Sequence, residues 1–163
     1  MRLHSTLTLA LALLSGSQAF AASYSSYVVI PNVPGESTSD KYARSIEASS
    51  VSLGIVNRLC TGFTIVKSLD IASAPLAGAA ASGSIYPLVT VYLVRNGELA
   101  QNFATYVLQN SSVVSITSVL TNSVFNESVT LSPATVAVTY KPQNPDGSLG
   151  GAITYNMTCS KPK

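Results

Sequence analysis

The sequence has 163 residues, which favours a single domain because a chain of this length buries most of its apolar surface in one core. Hydrophobic residues make up 47% of it and charged residues only 10%, against roughly 25% in typical soluble proteins. Serine, threonine, asparagine and glutamine must therefore cover the surface, which is more typical of a secreted or assembled protein than of a cytosolic monomer. The formal net charge is only +2, so the sequence lacks the excess of positive charge that is typical of proteins that bind nucleic acid or an anionic membrane.

The first 21 residues have the layout of a secretory signal peptide. Arg2 provides a basic start, an apolar run extends from Leu7 to Leu14, and small residues at Ala19 and Ala21 form a cleavage site. The apolar run is too short to span a bilayer. We expect cleavage after Ala21, which removes the charge of Arg2 and leaves a mature domain at residues 22–163 with a net charge of +1. An amphipathic first helix is the alternative interpretation.

Cleavage would also remove His4, the only histidine in the sequence. Without imidazole, the mature domain lacks serine–histidine and cysteine–histidine nucleophilic centres and histidine metal sites. Carboxylates remain as candidates for the paired acid–base chemistry that hydrolyses glycosides. They are Glu47, Asp70, Glu98 and Glu127. Nothing in the sequence brings two of them together, and each suits a strand edge, a helix N-terminus or a turn. We therefore expect no enzyme, no cofactor and no metal site.

Two cysteines, Cys60 and Cys159, remain in the mature domain. In the oxidising compartment that export implies, such a pair usually forms a disulfide bond. In the chain-entropy model, closing a loop of about 100 residues stabilises the fold by up to about 4.7 kcal/mol. The sequence therefore predicts a bond between them, and two unrelated buried thiols are the alternative.

From residue 26 onward, short β-rich runs alternate with turn residues. The predicted strands are residues 27–30, 45–56, 63–69, 86–94, 102–109, 113–120, 127–132, 134–140 and 152–159. Residues 32–44 are rich in Pro, Gly, Ser and Asp and predict a long exposed loop, a kind of segment that is often functional. Gly54 predicts a β-bulge, and Asn96 and Gly97 predict a hairpin turn.

Only residues 70–83 have a convincing helical pattern. The segment is rich in alanine, Ser73 is a candidate N-cap, Pro75 lies in the first turn and Gly83 suits the left-handed C-terminal position. A helix of about ten residues is marginal alone and must dock on a sheet. The fold class predicted is mainly β, a small antiparallel β-barrel or sandwich with one short flanking α-helix. Residues 86–94 are apolar on both faces, which indicates a covering layer or subunit.

Five stretches, in order, resemble the Hcp family (haemolysin-coregulated protein), the tube subunit of bacterial type VI secretion. They are GEST (35–38), SIE (45–47), KSLDIASAPLAGAAASG (67–83), ESVTLS (127–132) and YKPQNPDGSLGG (140–151). The resemblance implies a small β-barrel flanked by a helix, without catalytic residues. It also implies that copies close into hexameric rings, which stack as a tube and carry effectors in the lumen.

The resemblance further implies a role for the loop from Val33 to Arg44, which would reach the neighbouring ring when rings stack. The candidate ring-stacking residues are Gly35, Glu36, Ser37, Thr38 and Asp40. The strand at residues 86–94 would lie near a subunit contact, while the turn at residues 144–151 fits a contact or a simple return of the last strand. The implied partners are copies of this chain and secreted effector proteins, with no nucleic acid and no membrane in the mature form.

Three features depart from the family pattern. They are the signal peptide, the sequence VSLG at residues 51–54 in place of a Trp-Ser-Trp-Gly-like sequence, and the cysteine pair. All three favour an exported Hcp-like protein, periplasmic or extracellular, from a Gram-negative bacterium. The alternatives are a periplasmic or extracellular Hcp-fold binding module and a fimbrial or adhesin-like β-sandwich subunit. An ordinary tube subunit with a misread start is weakened because no internal methionine precedes Met157.

Overall fold

The structure, a computed structural model, describes residues 23–57, 59–97 and 100–159, so the predicted signal peptide lies outside the described residues. The strands in these ranges are β1 (Tyr24–Val29), β2 (Ile46–Val56), β3 (Leu59–Ser68), β4 (Ile85–Arg95), β5 (Gln101–Thr121), β6 (Val124–Ser132), β7 (Thr135–Tyr140) and β8 (Ile153–Thr158). The helix α1 is Ser73–Ser82, and Asp40–Tyr42 forms a single 3-10 turn before β2.

Six strands close into an antiparallel barrel. Their order is β4, β1, β2, β3, β6 and β5, and β5 pairs again with β4 to complete the circle. Strands β7 and β8 extend outward from β5 as an antiparallel hairpin. The predicted fold, a small antiparallel β-barrel with one flanking helix, is confirmed.

Strand β5 joins the barrel to this outer hairpin. Residues 104–109 pair with both β4 and β7, whereas residues 112–121 pair with β6. The prediction of two separate strands in this region was wrong, because the chain bends without leaving the sheet. Asn110 adopts a φ of 49°, a left-handed conformation that asparagine tolerates better than most residues, so the strand turns from one neighbour to the next.

Two local predictions, a β-bulge at Gly54 and a hairpin turn at residues 96–97, are met only in part. The register of the β2–β3 ladder shifts between Gly54 and Ile55, but the extra residue is Thr61 in β3, so the bulge lies opposite Gly54 and not in β2 itself. Strands β4 and β5 do form a hairpin, but Arg95 pairs with Gln101. The connection therefore spans residues 96–100, longer than a two-residue Asn-Gly turn.

Buried apolar side chains of the barrel and the helix form one core. They include Val28, Ile46, Phe63, Ile65, Leu76, Val89, Val91, Leu108, Val129 and Leu131. The helix packs against β5 and contributes the small buried residue Ala79, and the equally small buried Ala72 lies directly before it. Small side chains allow a short helix to approach the sheet closely, and this docking stabilises a helix that would be marginal alone.

The two ends of α1 are fixed differently from each other. Gly83 has a φ of 68°, and its N–H donates to the Ala79 carbonyl at 2.9 Å, as predicted for the C-terminal position. The prediction that Ser73 is the N-cap was wrong, because Ser73 is the first helical residue and its hydroxyl is directed into the barrel. The N–H of Ala72 is instead satisfied by Asp70 Oδ1 at 2.9 Å.

Strand β4 has one face in the core and one face that is only partly covered. Val89 and Val91 are fully buried. On the opposite face, the ring of Tyr92 lies 5.2 Å from the ring of Tyr42, which belongs to the loop before β2. Leu88 on this face stays exposed. The second layer predicted for this strand is thus supplied in part by the chain's own loop.

Candidate functional site

The loop at residues 33–44 folds back on itself. The N–H of Gly35 donates to the Arg44 carbonyl at 2.8 Å, and the N–H of Arg44 donates to the Ser37 carbonyl at 2.8 Å. The N–H of Ser37 also donates to the Ser45 carbonyl at 3.1 Å. The loop, which was expected to be exposed, is exposed only in part, because these hydrogen bonds turn alternate residues toward the barrel.

The candidate ring-stacking residues separate into two groups. Gly35 and Ser37 are buried, whereas Glu36, Thr38 and Asp40 are exposed. A side chain on Gly35 would collide with the Ser45 backbone, so only glycine fits there. Ser37 Oγ donates to Glu47 Oε1 at 2.7 Å. Gly35 and Ser37 therefore shape the loop, and a neighbouring molecule has access to the other three.

A cluster of tyrosines anchors the base of this loop. The ring of Tyr42 stacks on the ring of Tyr27 at 4.5 Å, with an interplanar angle of 10°, and also contacts Tyr92. Burial raises the pKa of the Tyr42 hydroxyl, and the neighbouring Tyr92 and Tyr27 raise it further. The phenol therefore stays neutral at physiological pH, and its ring holds the loop against β1 and β4.

A buried ion network lies beside the loop, at the start of the helix. The ammonium of Lys67 in β3 is 2.7 Å from Asp70 Oδ1 and 2.8 Å from Glu127 Oε2 in β6. It also donates to Ser73 Oγ at 2.9 Å and to the Ser68 carbonyl at 2.7 Å. The side chain of Lys67 is 0% exposed, so these partners replace its hydration completely. We call these five residues the lysine network.

Glu127 completes the lysine network from the opposite side. Its Oε2 accepts from Ser73 Oγ at 2.5 Å, and its Oε1 accepts from Ser118 Oγ at 3.0 Å. Burial by itself would raise the pKa of this carboxyl. Hydrogen bonds from Lys67, Ser73 and Ser118 and the charge of Lys67 outweigh burial, so the pKa of Glu127 lies below its ordinary value. Glu127 is therefore ionised and holds the helix start on β3 and β6.

Three of the four candidate catalytic carboxylates lie in the described residues, and each has a structural role. Asp70 and Glu127 contact the same buried ammonium, and Glu47 accepts from Ser37. Glu98 lies outside the described residues. A carboxylate neutralised by a buried lysine is poorly suited to protonate a leaving group or attack a substrate. The three that are described serve the helix start and the loop.

Lys67 was missed as a buried residue, although the sequence carries a signal for it. Phe63, Ile65 and Lys67 alternate along β3 and share its inward face, so the period of a strand places the lysine inside. A charge at such a position implies a buried partner, and Glu127 lies directly opposite in the β3–β6 ladder.

Cys60 and Cys159 form a disulfide bond, with their Cα atoms 4.9 Å apart. Cys60 lies near the start of β3, and Cys159 directly follows β8. The N–H of Cys159 also donates to the Ala134 carbonyl at 2.8 Å. The bond therefore ties the outer β7–β8 hairpin, which pairs with the barrel only through β5, to a second point on the barrel.

The turn at residues 144–151 is held mainly by its own hydrogen bonds. The N–H of Gly147 donates to the Asn144 carbonyl at 2.9 Å, and Ser148 Oγ donates to Asp146 Oδ1 at 2.7 Å. Hydrogen bonds from the Ser148 side chain and backbone lower the pKa of Asp146. These contacts suit a turn that returns the last strand, in line with the simpler of its two interpretations.

Apolar side chains remain uncovered at the tip of the β5–β6 hairpin. Leu120 pairs with Phe125 on one face, while Val119 and Val124 lie on the other, and all four are exposed. We call these four residues the apolar tip. A projecting hairpin that is apolar on both faces is unusual for an isolated soluble domain.

Within the ranges that the structure describes, no helix is long and apolar enough to cross a membrane. Among the same residues, no three potential metal ligands lie together.

Solved structures resemble this chain over most of its length. Hcp1 from Salmonella typhimurium is 25% identical, with a TM-score of 0.75 over 83% of this chain and 94% of that protein. A structure described as a type six secretion system protein is 22% identical, with a TM-score of 0.78 over 83% and 96%. A type VI secretion system effector from Yersinia pestis is 15% identical, with a TM-score of 0.71 over 82% and 98%. The last two likenesses show the fold alone.

The comparison with family models agrees with the structural one. No curated protein matches the sequence. The model of the family described as "Type VI secretion system effector, Hcp" matches residues 27–140, most of the domain from β1 to β7. This match sets aside a fimbrial or adhesin-like lineage. The chain belongs to the Hcp family of type VI secretion.

Proposed function

We propose that this protein is an exported, non-catalytic member of the Hcp family that assembles into hexameric rings. The observation that carries the proposal is the family match over residues 27–140 together with the closed barrel and docked helix. The rings would stack into a tube and carry secreted effector proteins. The partners are therefore further copies of this chain and effector cargo.

The apolar tip supports assembly. It leaves Leu120 and Phe125 in water on one face of the hairpin, and Val119 and Val124 on the other. Burying apolar surface stabilises an association by about 25 cal/mol per Å², so contact with an adjacent copy would remove an unfavourable exposure. In a ring every copy would present the same tip to the next one.

The exposed side of the loop supplies the proposed contact between stacked rings. Glu36, Thr38 and Asp40 are exposed, while the hydrogen bonds of Gly35 and Ser37 fix the backbone between them. A loop that is already ordered loses little conformational entropy when it binds. Glu36 also accepts from the Ile71 N–H at 3.2 Å, which links the loop to the helix start.

Export is proposed from the first 21 residues and is supported by the disulfide bond. The bond between Cys60 and Cys159 suits the periplasm or the extracellular medium, where disulfides persist. Cleavage after Ala21 would leave one residue before the first described one and would keep β1 intact. The mature domain is residues 22–163.

Native mass spectrometry and negative-stain microscopy of the processed protein test the assembly. We expect hexameric rings for the unmodified protein and for Leu120→Met, which conserves the volume and apolar character of the tip. Leu120→Glu places a charge at the contact and should release monomers. If the unmodified protein is monomeric at all concentrations, or if Leu120→Glu forms the same rings, the proposed assembly through the tip is wrong.

A second candidate function is an exported binding module that keeps the fold but does not form a tube. A cleft of about 610 Å³ lined by lysine, tyrosine and amide side chains favours it. The microscopy above separates the two functions, because a binding module would be monomeric while a tube protein would form rings.

A further inference from the structure

Two adjacent clefts on the barrel share part of their lining. The larger has a volume of about 610 Å³ and lies between the base of the loop, β4 and the start of β5. The smaller, of about 110 Å³, lies beside Tyr24 and Tyr140. Lys141 and Leu149 line both clefts and form the boundary between them. We call the combined surface the basic groove.

The charged side chains that line the basic groove are all cationic. They are Lys41, Arg95 and Lys141. The ion pairs found among the described residues involve only Lys67, so no described carboxylate lies within ion-pair distance of these three. Arg95 instead donates weakly to two neutral oxygens, Gln101 Oε1 at 3.3 Å and the Gly147 carbonyl at 3.4 Å. The groove thus concentrates three positive charges in a chain whose net charge is only +2.

Aromatic rings lie beside these cations. Tyr24 and Tyr140 are 62% and 47% exposed. Phe103 lies between them, with ring centroids 5.4 Å from Tyr24 and 6.5 Å from Tyr140. Tyrosine presents a large apolar face together with a polar hydroxyl, which suits it to contact ligands that are partly apolar and partly hydrated. The amides of Gln101 and Gln143 add neutral donors and acceptors to the lining.

The strands below the groove have no free edge for a peptide to join. Strand β1 pairs with both β2 and β4, and β4 pairs with both β1 and β5. An extended peptide therefore cannot add a strand here, although strand addition is a common source of affinity for peptides. Recognition must use side chains alone, namely cations, aromatic faces and amides.

We propose that the basic groove binds an acidic oligosaccharide, a chain of sugar rings that carry carboxylates. The cations would bind the carboxylates by charge-assisted hydrogen bonds. The exposed faces of Tyr24 and Tyr140 would contact the apolar faces of the sugar rings, and the amides would bind hydroxyls. Glu98 lies outside the described residues and is not included in the site.

Isothermal titration calorimetry with three probes tests the proposal on the processed protein. The probes are hexagalacturonate as the acidic saccharide, maltohexaose as the neutral one and hexaglutamate as an acidic peptide. We expect saturable binding of hexagalacturonate, which weakens as salt screens the charges. Equal or tighter binding of maltohexaose or hexaglutamate would overturn the proposal, as would no binding of hexagalacturonate at millimolar concentration.

Matched variants locate the binding in the groove. Lys141→Gln and Tyr140→Ala should each weaken hexagalacturonate binding about tenfold, because each removes a principal contact. Arg44→Gln and Tyr155→Ala remove an exposed cation and an exposed tyrosine that line neither cleft, so they should bind like the unmodified protein. Equal losses in both pairs of variants would contradict the assigned location.

The result is independent of the proposed assembly. Every residue of the basic groove belongs to one chain, and the apolar tip is not part of its lining. The titration is therefore repeated with Leu120→Glu. Binding by this variant supports the groove whether or not rings form, and loss of binding in this variant alone would show that the site needs assembly and overturn the single-chain proposal.

Discussion

The barrel is fastened at two places by different chemistry. At the start of the helix, the lysine network uses a buried ammonium and two carboxylates to hold α1 on β3 and β6. At the other place, the bond between Cys60 and Cys159 holds the β7–β8 hairpin to β3. Both connect a peripheral element to the barrel, but one is electrostatic and one is covalent.

The difference shows what each fastening depends on. The lysine network forms from side chains in any compartment and requires only that Glu127 and Asp70 are ionised. The disulfide forms only where thiols are oxidised, so the attachment of the outer hairpin depends on the redox conditions of the compartment. Acid should therefore weaken the lysine network and reductant the disulfide bond, and each can be disrupted without the other.

The largest effect is expected from Lys67→Ala. This change leaves Glu127 and Asp70 as buried or nearly buried charges without their cation, and removing one partner of a buried ion pair costs about 4 kcal/mol. Urea denaturation at neutral pH measures the loss. The double variant Lys67→Met with Glu127→Leu should lose much less, because it removes both of the fully buried charges. A cost below 1 kcal/mol for Lys67→Ala would show that the network contributes little.

The next effect is expected from the double variant Cys60→Ser and Cys159→Ser. It should lower the free energy of unfolding by about 3 kcal/mol, since removing a native disulfide restores conformational freedom to the unfolded chain. Denaturation with and without dithiothreitol measures this. The reductant should destabilise the unmodified protein and Lys67→Ala alike, and should not affect the serine variant. A reductant effect on the serine variant would contradict this assignment.

Acid should act on the lysine network. The pKa of Glu127 is lower in the folded than in the unfolded protein, so its ionised form favours folding. This contribution is complete above the ordinary carboxylate range, near pH 4.5, and is lost as the pH falls through the folded-state pKa. Urea denaturation at pH 7, 5 and 3 measures the slope. Glu127→Gln should show a shallower decline, and an identical slope in this variant would exclude Glu127 as the source.

The smallest effect tests the far end of the helix. Gly83 has a positive φ and Gly78 lies within α1, and an added side chain would meet open space at both. Gly83→Ala should destabilise by about 1 kcal/mol because alanine disfavours the left-handed conformation. Gly78→Ala should stabilise by a similar amount because alanine is the better helix former. Thermal denaturation of the pair measures both. The same sign for both changes would show that backbone conformation does not decide the result.

Sequence was informative where local rules decide the structure. Gly83 ends the helix because few other residues accept its backbone conformation, and the spacing of apolar residues indicated most strands. The disulfide followed from the number of cysteines and the expected compartment. The Hcp resemblance rested on ordered motifs, and the family match over residues 27–140 confirms it.

Sequence was less informative where distant residues decide the structure. Ser73 fits the N-cap rule, but its hydroxyl binds Glu127, which lies 54 positions later. The break predicted in β5 is absent because its first half pairs with β4 and β7 and its second half pairs with β6. The partial burial of the loop was not predicted, because its hydrogen bonds to Ser45 and Glu47 form only in the tertiary fold.

Export and assembly are tested most directly by intact mass spectrometry of the protein recovered from cytoplasm, periplasm and medium, with negative-stain microscopy of the same fractions. We expect an exported chain of residues 22–163, lighter by the two thiol hydrogens of Cys60 and Cys159, and present as rings or stacked tubes. An unprocessed chain with both thiols free and confined to the cytoplasm would contradict export. A processed, oxidised chain that is always monomeric would contradict the assembly.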